Sequence, residues 1–218
     1  MGFLRSTPPA QRTRRAGPVL LAALLSLLTL GQAMAATTYE IDKTHSSPTF
    51  RIRHFFSKVS GRFADFSGTI QYDESTPVNS TVSLTIQTAS IDTNEPKRDA
   101  HLRSPDFFDA AKNPTITFQS TKIEKTDQKD VYNVTGDLTM RGVTRPVVLR
   151  VEMTGAGPDA FGGYRMGFDA TTTINRKDFG VSWNKVLDQG GTLLGDDVDI
   201  TLNVEADKQP ASDPAAKQ

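Results

Sequence analysis

Apolar and polar residues alternate along most of the chain, a pattern typical of β-strands that have one apolar face. In residues 49–54, for example, Phe50, Ile52 and His54 share one face, and Arg51 and Arg53 lie on the other. The alternation predicts nine strands, which are residues 39–43, 49–54, 62–72, 81–90, 115–122, 131–140, 143–153, 161–174 and 197–205. A sheet this long must bury its apolar face, and the usual solution is to close into a barrel.

Two interruptions of the strand pattern predict short helices between the fourth and fifth strands. Asn94 can cap a helix over 97–103 with Pro96 in its first turn, and Ser104 with Pro105 can start a second helix that ends at Asn113–Pro114. Elsewhere we expect only local irregularities. A β-bulge near Ala64–Asp65 would turn both Phe63 and Phe66 inward, and Arg141–Gly142 predicts a tight turn.

The chain predicts three segments. Residues 1–35 resemble a cleaved signal peptide, with four arginines, an apolar run from Val19 to Leu30 and the small-x-small sequence Ala33-Met34-Ala35. An uncleaved anchor is the alternative, but this apolar run is shorter than the roughly 20 residues a spanning helix needs. Residues 36–206 predict one domain, and residues 207–218 predict a disordered tail. The protein is therefore expected to be exported to the periplasm.

Charge and cysteine content exclude several classes of function. The sequence has 25 basic and 25 acidic residues, and four of the basic ones lie in the predicted signal peptide, so the remainder has a formal net charge of −4. This argues against a nucleic-acid partner, which requires a concentrated basic surface. Because there is no cysteine, disulfides, thiol catalysis and cysteine-ligated metals are also excluded.

These features favour an all-β fold, an up-and-down antiparallel barrel of about eight strands with a short helical insert. No βαβ spacing suggests a parallel sheet. A membrane barrel would place its apolar residues outside, and alternation alone does not give that direction. The irregular strand lengths, the helical interruptions and the lack of aromatic girdles favour a barrel with its apolar face inside.

No arrangement of residues amounts to a catalytic or metal centre. The three histidines are His45, His54 and His101, and their spacing matches no zinc motif. Neither Ser46 nor Ser47 lies in a nucleophile elbow. Asp106 and Asp109 are better interpreted as helix charges than as an acid–base pair. We therefore expect no catalytic residue, no metal and no tightly bound cofactor.

The chain has many large apolar side chains, including 12 Phe, four Tyr and one Trp. In an eight-stranded barrel such residues either fill the interior or leave room for one small ligand. The sequence alone leaves both alternatives open. A cavity would favour a hydrocarbon ligand, because each buried CH₂ contributes about 0.8 kcal/mol.

Nine motifs in order resemble the YceI-like family of exported polyisoprenoid-binding proteins, over roughly residues 38–205. They are Asp42-Lys43-Thr44-His45-Ser46 with Phe50-x-Ile52-x-His54, Gly61-Arg62-Phe63 with Phe66-Ser67-Gly68, Arg98-Asp99-Ala100-His101-Leu102, Ser104-Pro105-Asp106-Phe107-Phe108-Asp109, Pro114-x-Ile116-x-Phe118, Gly136-Asp137-Leu138-Thr139, Gly142-Val143-Thr144-x-Pro146, Asn175-Arg176-x-Asp178-Phe179-Gly180 and Gly195-Asp196-Asp197-Val198. Each motif alone is weak, but nine in the same order are specific. Arg141 stands where many relatives carry His.

The resemblance implies a lipocalin-like barrel around an elongated pore that holds an isoprenoid or similar amphiphile, such as an isoprenoid quinone or a prenyl diphosphate, without enzymatic activity. The ligand-binding residues expected on this basis are Phe50, Ile52, His54, Phe63, Phe66, Ile86, His101, Leu102, Phe107, Phe108, Phe118 and Trp183. His54, His101 and Arg53 are candidate contacts for a polar head group.

The leading hypothesis is therefore a periplasmic lipid carrier that is not an integral membrane protein after signal cleavage. Two alternatives belong to other classes. One is a stress-related interaction protein with a filled barrel, and the other is a lipid-modifying enzyme with His54 or His101 as base. A homodimer is compatible with the sequence.

Overall fold

Strands make up most of this computed structural model, which describes residues 1–2, 36–188 and 190–210. The predicted signal peptide, residues 1–35, lies almost entirely outside the described residues. The fold below belongs to the second of the two units into which the chain divides, Met34–Gln218. The strands are β1 Thr37–Ile41, β2 Ser47–His54, β3 Ser57–Phe63, β4 Phe66–Tyr72, β5 Thr81–Gln87, β6 Ile91–Asp92, β7 Thr115–Lys125, β8 Val131–Met140, β9 Val143–Pro158, β10 Tyr164–Asn175 and β11 Leu194–Lys208.

These strands form a closed antiparallel barrel of eight long strands, as predicted. The first three long strands are interrupted, and their halves are β1 with β2, β3 with β4, and β5 with β6. Each long strand pairs with the next along the chain, and β11 closes the ring by pairing with both β1 and β2. All of the pairings are antiparallel, so the topology is up-and-down.

The interruption between β3 and β4 falls at Ala64–Asp65, where the phase of the apolar residues changes. Phe63 and Phe66 are three residues apart and would face opposite sides of an uninterrupted strand. Both are buried in the same cluster, because the break in the strand turns the side chain of Phe66 to the same side as that of Phe63. The bulge predicted here is thus an interruption of the strand with the predicted effect on both rings.

Regular helix is confined to a short insert and three 3₁₀ turns among the described residues. The α-helix α1 covers Pro96–Arg103, and the 3₁₀ turns are Pro77–Asn79, Thr88–Ser90 and Arg176–Phe179. The cap of α1 is Glu95, whose carboxylate accepts a hydrogen bond from the Lys97 N–H, and not Asn94 as predicted. Asn94 instead has a φ of 60°, which places it in the turn before the helix.

The second predicted helix, over residues 104–113, is wrong. The segment consists of consecutive turns that fold back on the end of α1. The Phe108 N–H donates to Leu102 O, and the Ala110 N–H donates to Arg103 O, so these amides satisfy carbonyls of α1. Ser104 and Pro105 are compatible with a helix start, but Asp109 has a φ of 48°, which ends any helical path.

The C-terminal strand is longer than predicted. The predicted tail began at residue 207, but Asp207 and Lys208 belong to β11 and pair with Glu40 and Tyr39. The Gln209 N–H also donates to Thr38 O at 2.8 Å. These residues lack the apolar alternation that would have identified them, because they lie where the barrel closes. Residues 211–218 lie outside the described part.

Most inward positions along the strands are apolar, and outward positions carry polar side chains such as Arg51, Arg53, Ser60 and Arg62. This is the arrangement expected of the barrel that the sequence favoured, and it is opposite to that of a barrel facing lipid. Within the ranges that the structure describes, no helix combines the length and apolarity needed to cross a membrane.

Candidate ligand-binding cavity

The barrel encloses a cavity of about 580 Å³, lined by inward side chains from the eight long strands. Ile52, Leu138 and Val198 face this space and are only half-buried, although they point into the barrel. They are incompletely covered because they border empty volume instead of other side chains. A barrel filled by its own side chains, one of the two sequence alternatives, would have no continuous cavity, so the structure contradicts it.

One end of the cavity is closed by a tightly packed apolar cluster. Tyr39, Ile70, Met166 and Ala206 are all buried there, and Phe168 packs against them. They come from β1, β4, β10 and β11, which are the strands that meet where the ring closes. We call this the closed end.

The opposite end, which we call the mouth, is covered by aromatic side chains from outside the strands. His101 of α1, Phe107 of the following turns and Trp183 of the long loop pack edge to face or tilted, with ring centroids 4.9 to 5.2 Å apart. Asp106 fixes the histidine, because its Oδ2 lies 2.9 Å from His101 Nε2. All three rings come from segments outside the strands, so they form a cover over the end of the barrel.

Two cations of α1, Lys97 and Arg98, lie among the lining residues at the mouth. Arg98 donates from Nε to Thr93 Oγ1 at 2.7 Å and from Nη2 to Thr93 O at 2.8 Å. Thr93 in turn donates to the buried carboxylate of Asp99. This chain of hydrogen bonds orients the guanidinium. Neither Lys97 nor Arg98 has a carboxylate within ion-pair distance among the residues described, so both charges are available to an anionic group.

Arg176 holds the long loop that carries Trp183. Its side chain is 3% exposed and donates to Val181 O at 2.7 Å, Trp183 O at 2.8 Å and Gly195 O at 2.9 Å. Burial lowers the pKa of this guanidinium, and Asp196 at 3.5 Å opposes that effect. These hydrogen bonds tie the loop to the start of β11, so Arg176 is a structural residue of the mouth.

A second charged network lies outside the cavity, near the closed end. Asp42, His45 and Glu205 place their ligand atoms within 4.8 Å of one another, a spacing compatible with a metal ion. However, the Arg165 guanidinium lies among them, 3.1 Å from Asp42 and in contact with Glu205. The His45 interaction lowers the pKa of Asp42, and Asp42 raises that of His45. The cation at this position is therefore the chain's own arginine, and the network joins β10 and β11 to the break between β1 and β2.

All twelve residues expected to contact a ligand line the cavity: Phe50, Ile52, His54, Phe63, Phe66, Ile86, His101, Leu102, Phe107, Phe108, Phe118 and Trp183. Arg53 does not line it. Its guanidinium donates to Phe55 O at 3.2 Å on the outer side. Lys97 and Arg98, which line the mouth, are not among the residues predicted from the sequence. Arg98 belongs to one of the quoted motifs, which is the signal that could have identified it.

Comparison with known proteins identifies the family to which the chain is similar. The YceI-like domain matches residues 39–206. A "UPF0312 protein" of Pseudomonas aeruginosa is 44% identical over 187 residues, which cover 84% of this chain and 93% of that protein. BcnA of Burkholderia cenocepacia, a crystal structure, has 25% identity and a TM-score of 0.67, covering 76% of this chain and 98% of BcnA.

A third similarity extends to a more distant sequence. A structure described as a polyisoprenoid binding domain from Saccharophagus degradans, implicated in plant cell wall breakdown, is 15% identical with a TM-score of 0.59. The alignment covers 79% of this chain and 99% of that domain. At this identity the similarity establishes the shared barrel fold.

Proposed function

Since this chain belongs to the YceI-like family, we propose that it is an exported, non-catalytic carrier that holds a long-chain isoprenoid or a similar amphiphilic lipid in its barrel. The observation that carries the proposal is the apolar cavity of about 580 Å³, within the usual range for small-molecule sites. The polyisoprenoid-binding description of the Saccharophagus degradans domain supports this ligand class.

Hydrocarbon burial accounts for the affinity. Each CH₂ moved from water into the cavity contributes about 0.8 kcal/mol, so a prenyl chain needs no polar contact in order to bind. Inward side chains such as Phe118, Leu138 and Ile200 provide the contacts along the cavity. The predicted ligand contacts then act together as an apolar wall, with no single essential residue.

The two ends of the cavity give the lipid a direction. At the closed end the cavity meets the apolar cluster through Ile70 and Phe168. The mouth instead has the cations Lys97 and Arg98, which have no carboxylate partner among the residues that the structure describes. We expect the hydrocarbon tail to point to the closed end and the head group to lie at the mouth. An anionic head group such as a diphosphate would accept hydrogen bonds from the free Nη1 group of Arg98.

Export to the periplasm is part of the same proposal and rests on the sequence of residues 1–35. A protein that moves through an aqueous compartment must shield the lipid tail from water along its length. A closed barrel with a covered mouth meets this requirement.

A cavity-filling substitution tests the proposal. Thr172 lines the cavity from β10, and Thr171 beside it is exposed on the outer face. Thr172→Trp places an indole in the empty volume, and Thr171→Trp places the same group outside. We expect delipidated wild-type protein and Thr171→Trp to take up geranylgeranyl diphosphate or a ubiquinone saturably, measured by native mass spectrometry. The affinity of Thr172→Trp for the lipid should fall roughly tenfold or more, because the indole occupies volume that several CH₂ groups of the lipid would otherwise fill.

Urea unfolding of both variants shows whether the barrel has folded. Loss of uptake in a folded Thr172→Trp variant supports the cavity as the site, and equal uptake by both variants contradicts it. Absence of uptake by the wild-type protein contradicts the carrier proposal itself. Solvent extraction then separates a carrier from a lipid-modifying enzyme, since a carrier returns the isoprenoid unchanged.

A further inference from the structure

The hairpin between β2 and β3 places two aromatic side chains in solvent beside the mouth. Phe56 is fully exposed and Phe55 is 42% exposed. The hairpin begins directly after His54, a lining residue of the cavity. Exposed phenylalanines are unusual in a position that needs only a polar turn, so these two rings need an explanation beyond the fold.

The backbone of this turn is strained for the residue it carries. Phe55 has a φ of 49°, a conformation that favours Gly or Asn and is disfavoured for bulky side chains. Strained positions of this kind cluster at functional sites. The other non-glycine residues with a positive φ among those described are Asn94, Asp109, Asp130 and Arg141, so Phe55 is the one aromatic residue held in this region.

A third exposed apolar side chain lies in the neighbouring loop. The Phe55 N–H donates to Leu193 O at 3.0 Å, and the Leu193 N–H donates to Lys185 O at 2.9 Å, so the three segments run side by side. Val186, which follows Lys185, is 75% exposed. Phe55, Phe56 and Val186 form what we call the apolar tip.

We propose that the apolar tip docks the mouth of the barrel on the surface of a lipid bilayer. Peripheral proteins bury Phe and other large apolar side chains at the boundary between head groups and acyl chains. Arg53 lies directly behind the tip, with its guanidinium on Phe55 O, where it can meet lipid phosphates. Three side chains are too few for a stable protein interface, which buries about 1,200 Å² or more.

Docking at this place gives the lipid a short path into the cavity. Leu193 and Leu194 line the mouth, and their segment pairs with the hairpin that carries the tip. A lipid leaving the bilayer would therefore meet the cavity without crossing bulk water. This inference rests on the proposed carrier function for its purpose, but the docking itself can be measured without any bound isoprenoid.

The test compares Phe56→Ser with Phe161→Ser. Phe161 is also exposed, at 91%, but it lies in the turn between β9 and β10 at the closed end, and neither residue lines the cavity. Each protein is expressed from the full sequence, its intact mass is recorded, and its flotation with phosphatidylethanolamine–phosphatidylglycerol vesicles is measured. We expect Phe56→Ser to weaken vesicle binding roughly tenfold, the effect of withdrawing one buried Phe, while Phe161→Ser stays at the wild-type value.

The same three proteins are then compared for isoprenoid uptake at equilibrium and for the rate of transfer between vesicles. Slower transfer by Phe56→Ser with unchanged equilibrium uptake supports docking. Equal flotation of the two variants, or no flotation of the wild-type protein, overturns it even if uptake is intact. If Phe56→Ser instead converts a dimer to a monomer in sedimentation, the tip is a protein interface and the proposal is also overturned. Failure of uptake in all three proteins would contradict the carrier function and leave the flotation result valid.

Discussion

Arg176 shows how one charged residue can determine the geometry of the mouth. The guanidinium is buried and donates to two carbonyls of the loop that carries Trp183, Val181 O and Trp183 O, and to Gly195 O at the start of β11. A buried cation is unfavourable unless its hydrogen bonds are satisfied, and the loop conformation satisfies them. The side chain and the loop therefore stabilise each other.

Arg176→Met tests this interdependence. The substitution leaves three carbonyl oxygens without donors, and we expect the free energy of unfolding to fall by about 2–4 kcal/mol. The measurement is urea unfolding, with the fluorescence of Trp183, the protein's single tryptophan, as the probe. Asp196→Asn is the control, since Asp196 is 40% exposed, and a change below about 1 kcal/mol is expected for it. Equal losses in the two variants would show that the ion pair, and not the carbonyl contacts, holds the loop.

At the scale of single residues, the sequence predicts what lies on strands better than what lies on loops. Phe50 and Phe118 lie on the apolar faces that alternation predicts, and Phe63 joins them through the predicted bulge. All three are ligand contacts implied by the family resemblance, and they line the cavity. Lys97 and Arg98 were not predicted, because the direction of a short helix depends on tertiary contacts that have no period in the sequence. The role of Arg176 was missed for the same reason.

The close pairing of neighbouring strands can also depend on a single residue, as β7 and β8 show. The Phe118 ring of β7 lies over Gly136 of β8, where a Cβ atom would come within 2.3 Å of the ring and 2.6 Å of Gln119 O. The backbone oxygen cannot move aside without disturbing the pairing of the two strands. The glycine is therefore required by close approach and not by an unusual φ.

Gly136→Ala should force Phe118 towards the cavity and separate the strands locally. We expect the free energy of unfolding to fall by about 1–3 kcal/mol, as for other overpacked sites, and the affinity for the isoprenoid to fall with it. Gly155→Ala in β9 is the matched control, because no atom lies within 4 Å of its added Cβ, and its change should stay within about 0.5 kcal/mol. A Gly136→Ala variant as stable as the control would show that Phe118 can move freely.

At the scale of elements, the alternating pattern located the strands but not all of their ends. The sequence placed the start of a strand at Arg62, whereas β3 begins at Ser57. Residues 57–61 contain one apolar side chain, Val59, too few for a period to appear. The turn that precedes them is Phe55–Phe56, which has none of the Gly, Asn or Asp residues that normally identify a hairpin.

For the whole molecule, alternation indicates that the sheet has an inside, but not whether that inside is full. The answer depends on the summed volume of the inward side chains against the space within eight tilted strands, which no local pattern contains. The structure settles this by the half-buried state of inward residues such as Ile52 and Val198. The empty volume exists because the sheet closes into a barrel, so it depends on the pairing of β11 with β1, which a truncation can remove.

Closure depends on the last residues of β11. Asp207 and Lys208 pair with β1, the Gln209 N–H donates to Thr38 O, and the Lys208 ammonium lies 5.6 Å from the centre of the Tyr164 ring. A chain ending after Ala206 loses these contacts, and Tyr39 in the closed end loses its neighbour on β11, Lys208, while it keeps Ile70 on β4. We expect the free energy of unfolding to fall by about 2–3 kcal/mol, since each lost backbone hydrogen bond contributes about 1 kcal/mol.

A chain ending after Pro210 is the control for this truncation, because it keeps every described contact between β11 and β1 and removes only residues 211–218. Urea unfolding of the two truncated chains and the full chain separates the possibilities. Stability of the 210-residue chain equal to that of the full chain, with loss in the 206-residue chain, places the domain boundary after β11. Equal stability of all three would show that β1 needs no partner beyond Ala206. Equal loss in both truncated chains would contradict the prediction of a disordered tail, because the final residues would then contribute to closing the barrel.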